Sequence, residues 1–269
     1  MSANGSSLRD RYGEWALVTG ASAGIGLAFA QAFARQGLSC VLAARREDRL
    51  KALGSELSEM HGVETRSVAV DLASPEGADR LADAVADLPI GVLVNNAGFG
   101  YAGRFDKLET DRLRAMVMLN CVAPVVLTSR ILPGMIKRGH GAVIIVGSVA
   151  GRQPLPLHAV YSATKAFDLL FGEGLWAELR GTGIDALTVE PGPTATEFFA
   201  VAGEQVGANH GEPPENVVQI ALDSLGKRPS VVSGWFNWAR ANLSRFLPRS
   251  TTALIAKRVI EGQTPPELR

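Results

Sequence analysis

The sequence contains little from which a disulfide framework or a metal site can be built. Its two cysteines, Cys40 and Cys121, lie far apart in apolar surroundings and form no Cys-x-x-Cys motif, so we interpret them as buried free thiols. Such thiols are typical of a reducing compartment and predict a cytoplasmic protein. The four histidines show no metal-ligand spacing and adjoin no acidic cluster: His61, His140, His158 and His210. We therefore predict no metal.

An excess of charge of one sign is also missing. Lys+Arg and Asp+Glu both count 27, so the formal net charge is zero and no global field draws the chain to polyanions. Nucleic acid is therefore not expected as a partner. Hydrophobic residues make up 46% of the 269 residues, and the 29 glycines and 14 prolines show no period, which excludes a disordered chain and predicts a sizeable core.

No uninterrupted apolar run is long enough to cross a membrane. The uncharged stretch 15–34 is broken by Gly20, Gly24 and Gly26, and the uncharged stretch 115–129 is shorter than a membrane span. We therefore predict no transmembrane segment.

Short apolar runs alternate with longer helical patterns, which predicts a parallel sheet with helices on both faces. The predicted strands are residues 15–19, 39–43, 65–70, 91–94, 142–146 and 185–189, with a seventh near 230–233. The apolar character of the first six is nearly continuous, as in strands that are covered on both faces. Ser74 and Pro75 predict the N-cap and first residue of one helix, and Thr110 predicts the N-cap of another. The fold class is therefore α/β, with a single doubly wound sheet.

The chain divides into three parts by its sequence pattern. We predict an N-terminal arm over residues 1–13 and one catalytic domain over 14–234, which includes a substrate loop around 194–212. Residues 235–269 combine aromatic and basic residues and predict a helical extension. Packing on the same domain or on a sister subunit is the expected role of this extension, while a lid and a peripheral membrane contact remain open alternatives.

A glycine-rich turn follows the first predicted strand, in the segment TGASAGIG from Thr19 to Gly26. Glycines let the backbone approach a pyrophosphate, and the next helix offers free N–H groups at its N-terminus. Close packing of the strand against the helix explains the same glycines, so both interpretations stay open for this turn alone.

Arg45 and Arg46 follow the second predicted strand, where dinucleotide-binding folds place the residue that contacts the adenosine ribose. Guanidinium groups pair with a 2′-phosphate, whereas a carboxylate repels it, so this position favours NADP over NAD. The alternative is a solvated helix start, since acidic residues follow. Because Ala23 leaves the glycine turn without a basic side chain, phosphate recognition is assigned to Arg45, Arg46 and Ser22.

Tyr161 and Lys165 lie four residues apart in a helical pattern, so their side chains share one face. An ammonium beside a phenol lowers the phenol pKa from about 10 toward neutral pH, as a general acid/base requires. Ser148 follows the fifth predicted strand and is placed to donate a hydrogen bond to a substrate carbonyl oxygen. Taken alone, the Tyr/Lys pair is also typical of an ordinary helix surface.

Together these segments resemble the short-chain dehydrogenase/reductase family over residues 15–196. The matching positions are Thr19 to Gly26, Asp71-Leu72, Asn95-Asn96-Ala97-Gly98, Asn120, Ser148, Tyr161 with Lys165, and Pro191-Gly192. The resemblance implies a Rossmann-type fold, NADP(H) as cofactor, and hydride transfer between a secondary alcohol and a ketone. It also implies a homodimer or homotetramer formed through helices over 111–138 and 161–180. The competing hypothesis is a nucleotide-binding regulatory or scaffold protein without turnover.

The resemblance implies four catalytic residues: Asn120, Ser148, Tyr161 and Lys165. Tyr161 would act as general acid/base, Lys165 would also bind the nicotinamide ribose, and Asn120 would hold a water that links Lys165 to solvent. The predicted cofactor set is Gly20, Ser22, Gly24, Ile25, Gly26, Arg45, Arg46, Asp71, Leu72, Asn95, Ala97, Gly98, Tyr161, Lys165, Pro191, Gly192, Thr194 and Thr196.

Apolar residues after the fourth to sixth strands predict a pocket for a lipophilic ketone or alcohol. They are Phe99, Tyr101, Leu155, Leu157, Phe198 and Phe199. Glu190 is expected near the site entrance. His158 is expected on a loop surface, with a position facing the site as the open alternative.

Overall fold

The computed structural model of this chain describes residues 7–198, 202, 211–243 and 247–263. Within these residues, one sheet of seven parallel strands forms the centre of the molecule, as predicted. The strands are β1 (Trp15–Thr19), β2 (Ser39–Ala44), β3 (Thr65–Ala69), β4 (Ile90–Asn95), β5 (Gly141–Val146), β6 (Ile184–Glu190) and β7 (Ser230–Val232). All seven predicted strands are present, and no strand end differs from its predicted position by more than one residue.

Helices connect the strands and cover both faces of the sheet. They are α1 (Leu8–Tyr12), α2 (Gly24–Arg35), α3 (Glu47–His61), α4 (Gly77–Ala84), α5 (Thr110–Val117), α6 (Ala123–Arg138), α7 (Ala159–Glu178), α8 (Pro214–Ser224), α9 (Trp235–Leu243) and α10 (Arg249–Gln263). Alternate side chains of a strand point to opposite faces, so β1 contributes Val18 to one buried cluster and Leu17 to the other. Phe29 and Phe33 of α2 pack with Val18.

The strand order is β3-β2-β1-β4-β5-β6-β7. The chain winds from β1 through β2 to β3 and then returns to the other side of β1 to form β4. Loops therefore diverge between the carboxyl ends of β1 and β4, which is where open α/β sheets bind their ligands.

Strand β3 departs from the pattern expected of a strand covered on both faces. It lies at the edge of the sheet, and each of its five residues is partly or largely exposed. The prediction of continuous burial was therefore wrong for this strand, because an edge strand has a pairing partner on one side only.

The predicted start of α4 at Pro75 was also wrong. Helix α4 begins at Gly77 with Glu76 as its N-cap residue. The Ser74 hydroxyl donates to the Asp71 carbonyl oxygen at 2.7 Å, so it closes a turn after β3 instead of capping the helix. In α5, Thr110 is the first helical residue and Glu109 precedes it as the N-cap.

The long helix predicted over 111–138 consists of α5, a π-helical turn over Met118–Val122, and α6. This run, Thr110–Arg138, is long and apolar enough to cross a membrane, and 39% of its most apolar window is buried inside the protein. Helices that pack in a protein core meet the same criterion, so it is weak evidence for a membrane span. Here the run packs against β4, β5 and α4.

The described part of the N-terminal arm, residues 7–13, is anchored to the domain. The Tyr12 side chain is buried, and its hydroxyl donates to Asp185 Oδ2 at 2.8 Å, while Arg11 pairs with the same oxygen at 2.7 Å. The C-terminal helices α9 and α10 also pack on this domain.

Candidate active site

Thr19 fixes the geometry at the carboxyl ends of β1 and β4. Its buried hydroxyl donates to the Val94 carbonyl at 3.1 Å and accepts from the N–H groups of Asn96 at 2.9 Å and Ala97 at 3.0 Å. Asn96 in turn donates to the Thr19 carbonyl at 2.7 Å. These bonds hold the two diverging loops at a fixed separation.

The glycine-rich turn presents backbone rather than side chains to the cleft between these loops. Gly20 and Gly24 have positive φ values of 69° and 57°, a conformation that favours glycine. A Cβ atom on Gly24 would lie 2.8 Å from the Thr196 Cγ2 atom. Helix α2 starts at Gly24, and Ala23 provides no side-chain cap, so the helix N-terminus is suited to an anion. This cradle fits the pyrophosphate of a dinucleotide.

A cleft of about 500 Å³ runs from this turn to Tyr161. Most of the predicted cofactor residues line it: Gly20, Ser22, Gly24, Ile25, Arg45, Arg46, Asp71, Leu72, Ala97, Gly98, Tyr161, Lys165, Pro191, Gly192, Thr194 and Thr196. The structure thus brings together residues that are far apart in the sequence, while their contacts with a cofactor stay predictions.

Two predicted cofactor residues do not line the cleft. Gly26 faces Gly20 and Asn96, where a Cβ atom would collide with both, so it permits close packing of α2 on the turn. The Asn95 side chain is buried and donates to the Thr128 hydroxyl at 3.0 Å, which ties β4 to α6. Asn96 lines the cleft instead, because successive strand residues point to opposite sides.

Arg46 lies beside the glycine turn and contacts a carboxylate that the sequence did not reveal. Its guanidinium bonds to the Ser22 hydroxyl at 3.1 Å and to Glu197 at 2.7 Å. Arg49 pairs with the other oxygen of Glu197 at 2.8 Å. The two guanidinium groups, chiefly that of Arg49, lower the pKa of Glu197. The result is a cluster of two cations and one anion at the predicted 2′-phosphate site.

The side chains of Tyr161 and Ser148 both reach the inner end of the cleft. Ser148 is the residue before a short 3₁₀ turn, Val149–Arg152, and its hydroxyl accepts from the Ala150 N–H at 3.1 Å. Tyr161 lies in the first turn of α7, with its ring centroid 5.4 Å from that of Phe198 and 6.4 Å from that of His158. Burial lowers the pKa of His158, which favours the neutral imidazole at this position. The loop-surface expectation for His158 was wrong, since it lines the cleft.

Lys165 lies one turn after Tyr161 and is almost fully buried. Its Nζ atom donates to the Val146 carbonyl at 2.9 Å and to Asp168 Oδ2 at 2.9 Å. Although burial acts to lower the pKa of Lys165, the Asp168 carboxylate and Tyr161 outweigh it, and the pKa is raised. The ammonium is therefore charged at neutral pH.

Asn120 lies in the π-helical turn, and both the nitrogen and the oxygen of its side-chain amide form hydrogen bonds within the protein. Its amide nitrogen donates to the Phe99 carbonyl and the Thr164 hydroxyl, both at 3.0 Å, and its oxygen accepts from the Phe99 N–H at 3.2 Å. It therefore fixes the 98–99 segment against α7. π-Helical turns occur often at functional sites. The predicted water on Asn120 stays a prediction.

The substrate pocket is only partly as predicted. Phe99, Leu155 and Phe198 line the cleft near Tyr161. Tyr101 belongs to the apolar cluster behind it and packs its ring under the Arg112 guanidinium, and Leu157 contributes its carbonyl to a bond with the Gly103 N–H. Phe199 lies outside the described residues.

Several lining residues were missed by the sequence reasoning. Asn237, Ala241 and Ile260 come from α9 and α10 and extend the wall of the cleft. No local motif identifies them, because they reach the cleft only through the packing of the C-terminal helices. The extension therefore contributes to the site of its own domain.

Glu190 was predicted near the entrance, and the structure corrects this. Its carboxylate is completely buried at the end of β6 and forms two bonds with Arg152, at 2.6 and 2.5 Å. The pair offers no net charge to the cleft. Among the described residues, no group of three His, Cys, Asp or Glu side chains is placed to hold a metal ion.

The arrangement is suited to proton transfer at a carbonyl or alcohol beside a bound dinucleotide. The Tyr161 phenol and the Ser148 hydroxyl line the same cleft, and the buried Lys165 ammonium interacts electrostatically with the phenol. The other end of the cleft offers a helix N-terminus and a cationic cluster for phosphates.

Comparison with known proteins agrees with this chemistry. A model of the short chain dehydrogenase family matches residues 14–207. The chain is 32% identical over 262 residues to the very-long-chain 3-oxoacyl-CoA reductase of Homo sapiens, covering 91% of this chain and 83% of that protein. A solved structure of a 7β-hydroxysteroid dehydrogenase is similar with a TM-score of 0.87 at 29% identity, covering 94% and 100% of the two chains. A short-chain dehydrogenase from Sphingobium yanoikuyae in complex with NADPH gives a TM-score of 0.77 at 32% identity, covering 88% and 97%.

Proposed function

The chain belongs to the short-chain dehydrogenase family, and we propose that it is an NADP(H)-dependent enzyme that interconverts a lipophilic secondary alcohol and its ketone. The observation that carries the proposal is the convergence of Tyr161, Ser148 and Lys165 on a cleft that begins at the glycine turn. As a family member the protein is an oxidoreductase acting on CH–OH or C=O groups. Family membership alone does not specify NADP or a lipophilic substrate. These two parts of the proposal rest on the side chains that line the cleft of this protein.

The NADP preference is supported by the cationic cluster of Arg46 and Arg49. Both guanidinium groups already bind one carboxylate, Glu197, in the geometry that suits an anion with several oxygens. Asp71 and Leu72 line the cleft nearby, as expected for residues beside an adenine. The related protein from Sphingobium yanoikuyae binds NADPH.

The proposed reaction assigns a task to each residue at the inner end of the cleft. The nicotinamide, when bound, supplies or accepts the hydride. Ser148 orients the carbonyl oxygen through its hydroxyl, and Tyr161 gives this oxygen a proton during reduction or takes one from the alcohol during oxidation. Lys165 keeps a positive charge near the Tyr161 phenol, and this charge favours the phenolate form of Tyr161.

The lipophilic substrate is supported by the walls around Tyr161. Phe99, Leu155 and Phe198 face the cleft there, and Ala241 and Ile260 add apolar surface from the C-terminal helices. Burial of apolar substrate surface against such walls contributes about 25 cal/mol per Å². The related enzymes are named for very-long-chain 3-oxoacyl-CoA, whose acyl chain is apolar, and for hydroxysteroids, whose ring system is apolar.

The direct test is a turnover assay with the purified protein and NADPH. We expect oxidation of NADPH with a long-chain 3-oxoacyl thioester or a steroid ketone, and much slower oxidation with acetone, which cannot fill the apolar walls. NADH in place of NADPH is the matched control for cofactor choice. Tight NADPH binding with no turnover across a broad ketone panel would favour the regulatory alternative instead.

We also propose that two copies of the chain associate through an apolar patch on α5, the π-helical turn, α6 and α7. Its exposed side chains are Val117, Val122, Val125, Phe167 and Leu170. Leu170 is 70% exposed, which is unusual for a leucine amid other apolar groups and is typical of an interface.

Leu170→Arg is expected to convert the oligomer to a monomer, because it replaces the most exposed apolar side chain of this patch by a charged one. Light scattering coupled to size-exclusion chromatography measures the mass in solution. Met60→Arg is the matched control, since Met60 is 67% exposed on α3, outside the patch, and this variant should keep the wild-type mass. A wild-type monomer, or an unchanged mass for Leu170→Arg, would contradict the proposed interface.

A further inference from the structure

A buried carboxylate, Asp168, lies beside the Lys165 ammonium and has no assigned part in the proposed reaction. Both side chains belong to α7, one turn apart, and their charged atoms are 2.9 Å from each other. Only 3% of the Asp168 side chain and 6% of the Lys165 side chain are exposed. The ion pair is thus enclosed by protein.

The second oxygen of Asp168 makes this carboxylate unusual. Oδ2 accepts from Lys165, but Oδ1 is buried and has no hydrogen-bond partner among the described residues. A buried charge with an unsatisfied oxygen costs free energy, and an apolar side chain of similar size would fill such a position without that cost. Fold stability therefore does not explain the residue, and its contact with Lys165 suggests a role in the site.

The groups that act on the Lys165 charge come from three elements. Its own helix provides Asp168 and Tyr161, the π-helical turn provides the Cys121 thiol, and β5 provides the uncharged Val146 carbonyl. Burial acts to lower the pKa of Lys165. Of the three titratable groups, Asp168 has the largest opposing effect, and the pKa of Lys165 stays above its ordinary value. Burial raises the pKa of Asp168 above its ordinary value, while the adjacent Lys165 ammonium acts to lower it.

We propose that Asp168 is a positioning residue for the proposed reaction, the fixed counterion that holds the Lys165 ammonium behind Tyr161 when a substrate fills the cleft. This inference rests on the proposed function. The Val146 carbonyl and the Asp168 carboxylate together fix the direction of the Lys165 side chain from two sides. Without the carboxylate, the Lys165 ammonium would keep only the neutral Val146 carbonyl of these two acceptors.

The first experiment is the pH profile of kcat/KM for ketone reduction in Asp168→Asn. Asparagine keeps the size and a hydrogen-bond acceptor but removes the negative charge. Removing a negative charge lowers the pKa for loss of the first proton from the Tyr161–Lys165 pair, whichever of the two groups releases it. We expect the alkaline limb of the profile to move to lower pH by about one unit or more. Asp168→Ser, which leaves space for a water beside Lys165, should show a shift in the same direction if Asp168→Asn does not fold.

The matched control is Asp185→Asn. Asp185 is also a partly buried carboxylate in an ion pair, but it binds Arg11 and Tyr12 at the opposite end of the sheet. Its removal should leave the alkaline limb in place. A shift of equal size in this control would show a general electrostatic or stability effect and would overturn the proposal.

A second measurement needs no turnover. Phenolate absorbance is followed against pH in the cofactor-free protein, and the step that disappears in Tyr161→Phe is assigned to Tyr161. This step should move away from the wild-type midpoint in Asp168→Asn, to lower pH while Lys165 stays charged and to higher pH once Lys165 loses its proton first; an unchanged midpoint overturns the proposal. If no ketone is reduced at all but the phenolate step still shifts, the proposed function fails, while the coupling of Asp168 to the Tyr161–Lys165 pair stands.

Discussion

Tyr161→Phe is expected to lower kcat for ketone reduction by about 10²- to 10⁴-fold, the range typical of losing a general acid. The substitution removes only the hydroxyl that would give its proton to the carbonyl oxygen. The ring remains, so its packing against Phe198 and the apolar cluster around it should be kept. Steady-state kinetics with the best ketone of the panel measures the effect, and NADPH fluorescence measures whether cofactor binding is preserved.

Tyr101→Phe is the matched control for this prediction. Tyr101 belongs to the same apolar cluster as Tyr161, but it does not line the cleft, and its ring packs under Arg112. Loss of its hydroxyl should leave kcat within about twofold of the wild type, since no transition-state contact is removed. If Tyr161→Phe kept full activity, the acid/base assignment would be wrong, and the proton would have to come from another group.

Arg46→Ala is expected to weaken NADPH binding by about 10- to 100-fold while NADH binding changes little. The guanidinium is the group proposed to pair with the 2′-phosphate, and a charge-assisted hydrogen bond of this kind contributes about 1.5–3 kcal/mol. Its position is fixed by the Ser22 hydroxyl as well as by Glu197, so the group is oriented before the cofactor arrives. Fluorescence titration of both cofactors at the same salt concentration measures the ratio.

Glu197→Gln tests the same site and should have the opposite effect on NADPH binding. The Glu197 carboxylate binds Arg46 and Arg49, and a 2′-phosphate would have to compete with it for both. Exposed ion pairs are weak, so removing the competing charge should tighten NADPH binding by only about two- to fivefold. Weaker NADPH binding in Glu197→Gln, or equal losses for NADPH and NADH in Arg46→Ala, would refute the 2′-phosphate site.

Much of this site follows from local sequence patterns. The strand of a parallel sheet is a short apolar run, so the seven strands could be located without any knowledge of their neighbours. The spacing of four residues that brings Tyr161 and Lys165 to one face of α7 is a property of the helix itself. The glycine turn, Ser148 and the arginines follow strand ends, and the ends of parallel strands meet at one edge of the sheet.

Other features depend on which side of an element faces the ligand. Asn95 and Asn96 are adjacent in the sequence, yet Asn95 binds Thr128 in the core and Asn96 lines the cleft. The sequence does not distinguish them, because a shift of one residue in a strand reverses the direction of every side chain.

The remaining features were decided by tertiary structure alone. Glu197 meets Arg46 although 151 positions separate them, and Ile260 reaches the cleft from the last described helix. The spacing of Asp168 and Lys165 is visible in the sequence, but their burial, and hence the strength of their coupling, is not. The sequence by itself thus determined the sheet, the order of its loops and the residues that carry the chemistry, since these depend on local periodicity. Only the tertiary structure decided which distant charged groups come into contact and how deeply they are buried from solvent. Packing between helices and strands determines both the contacts and the burial.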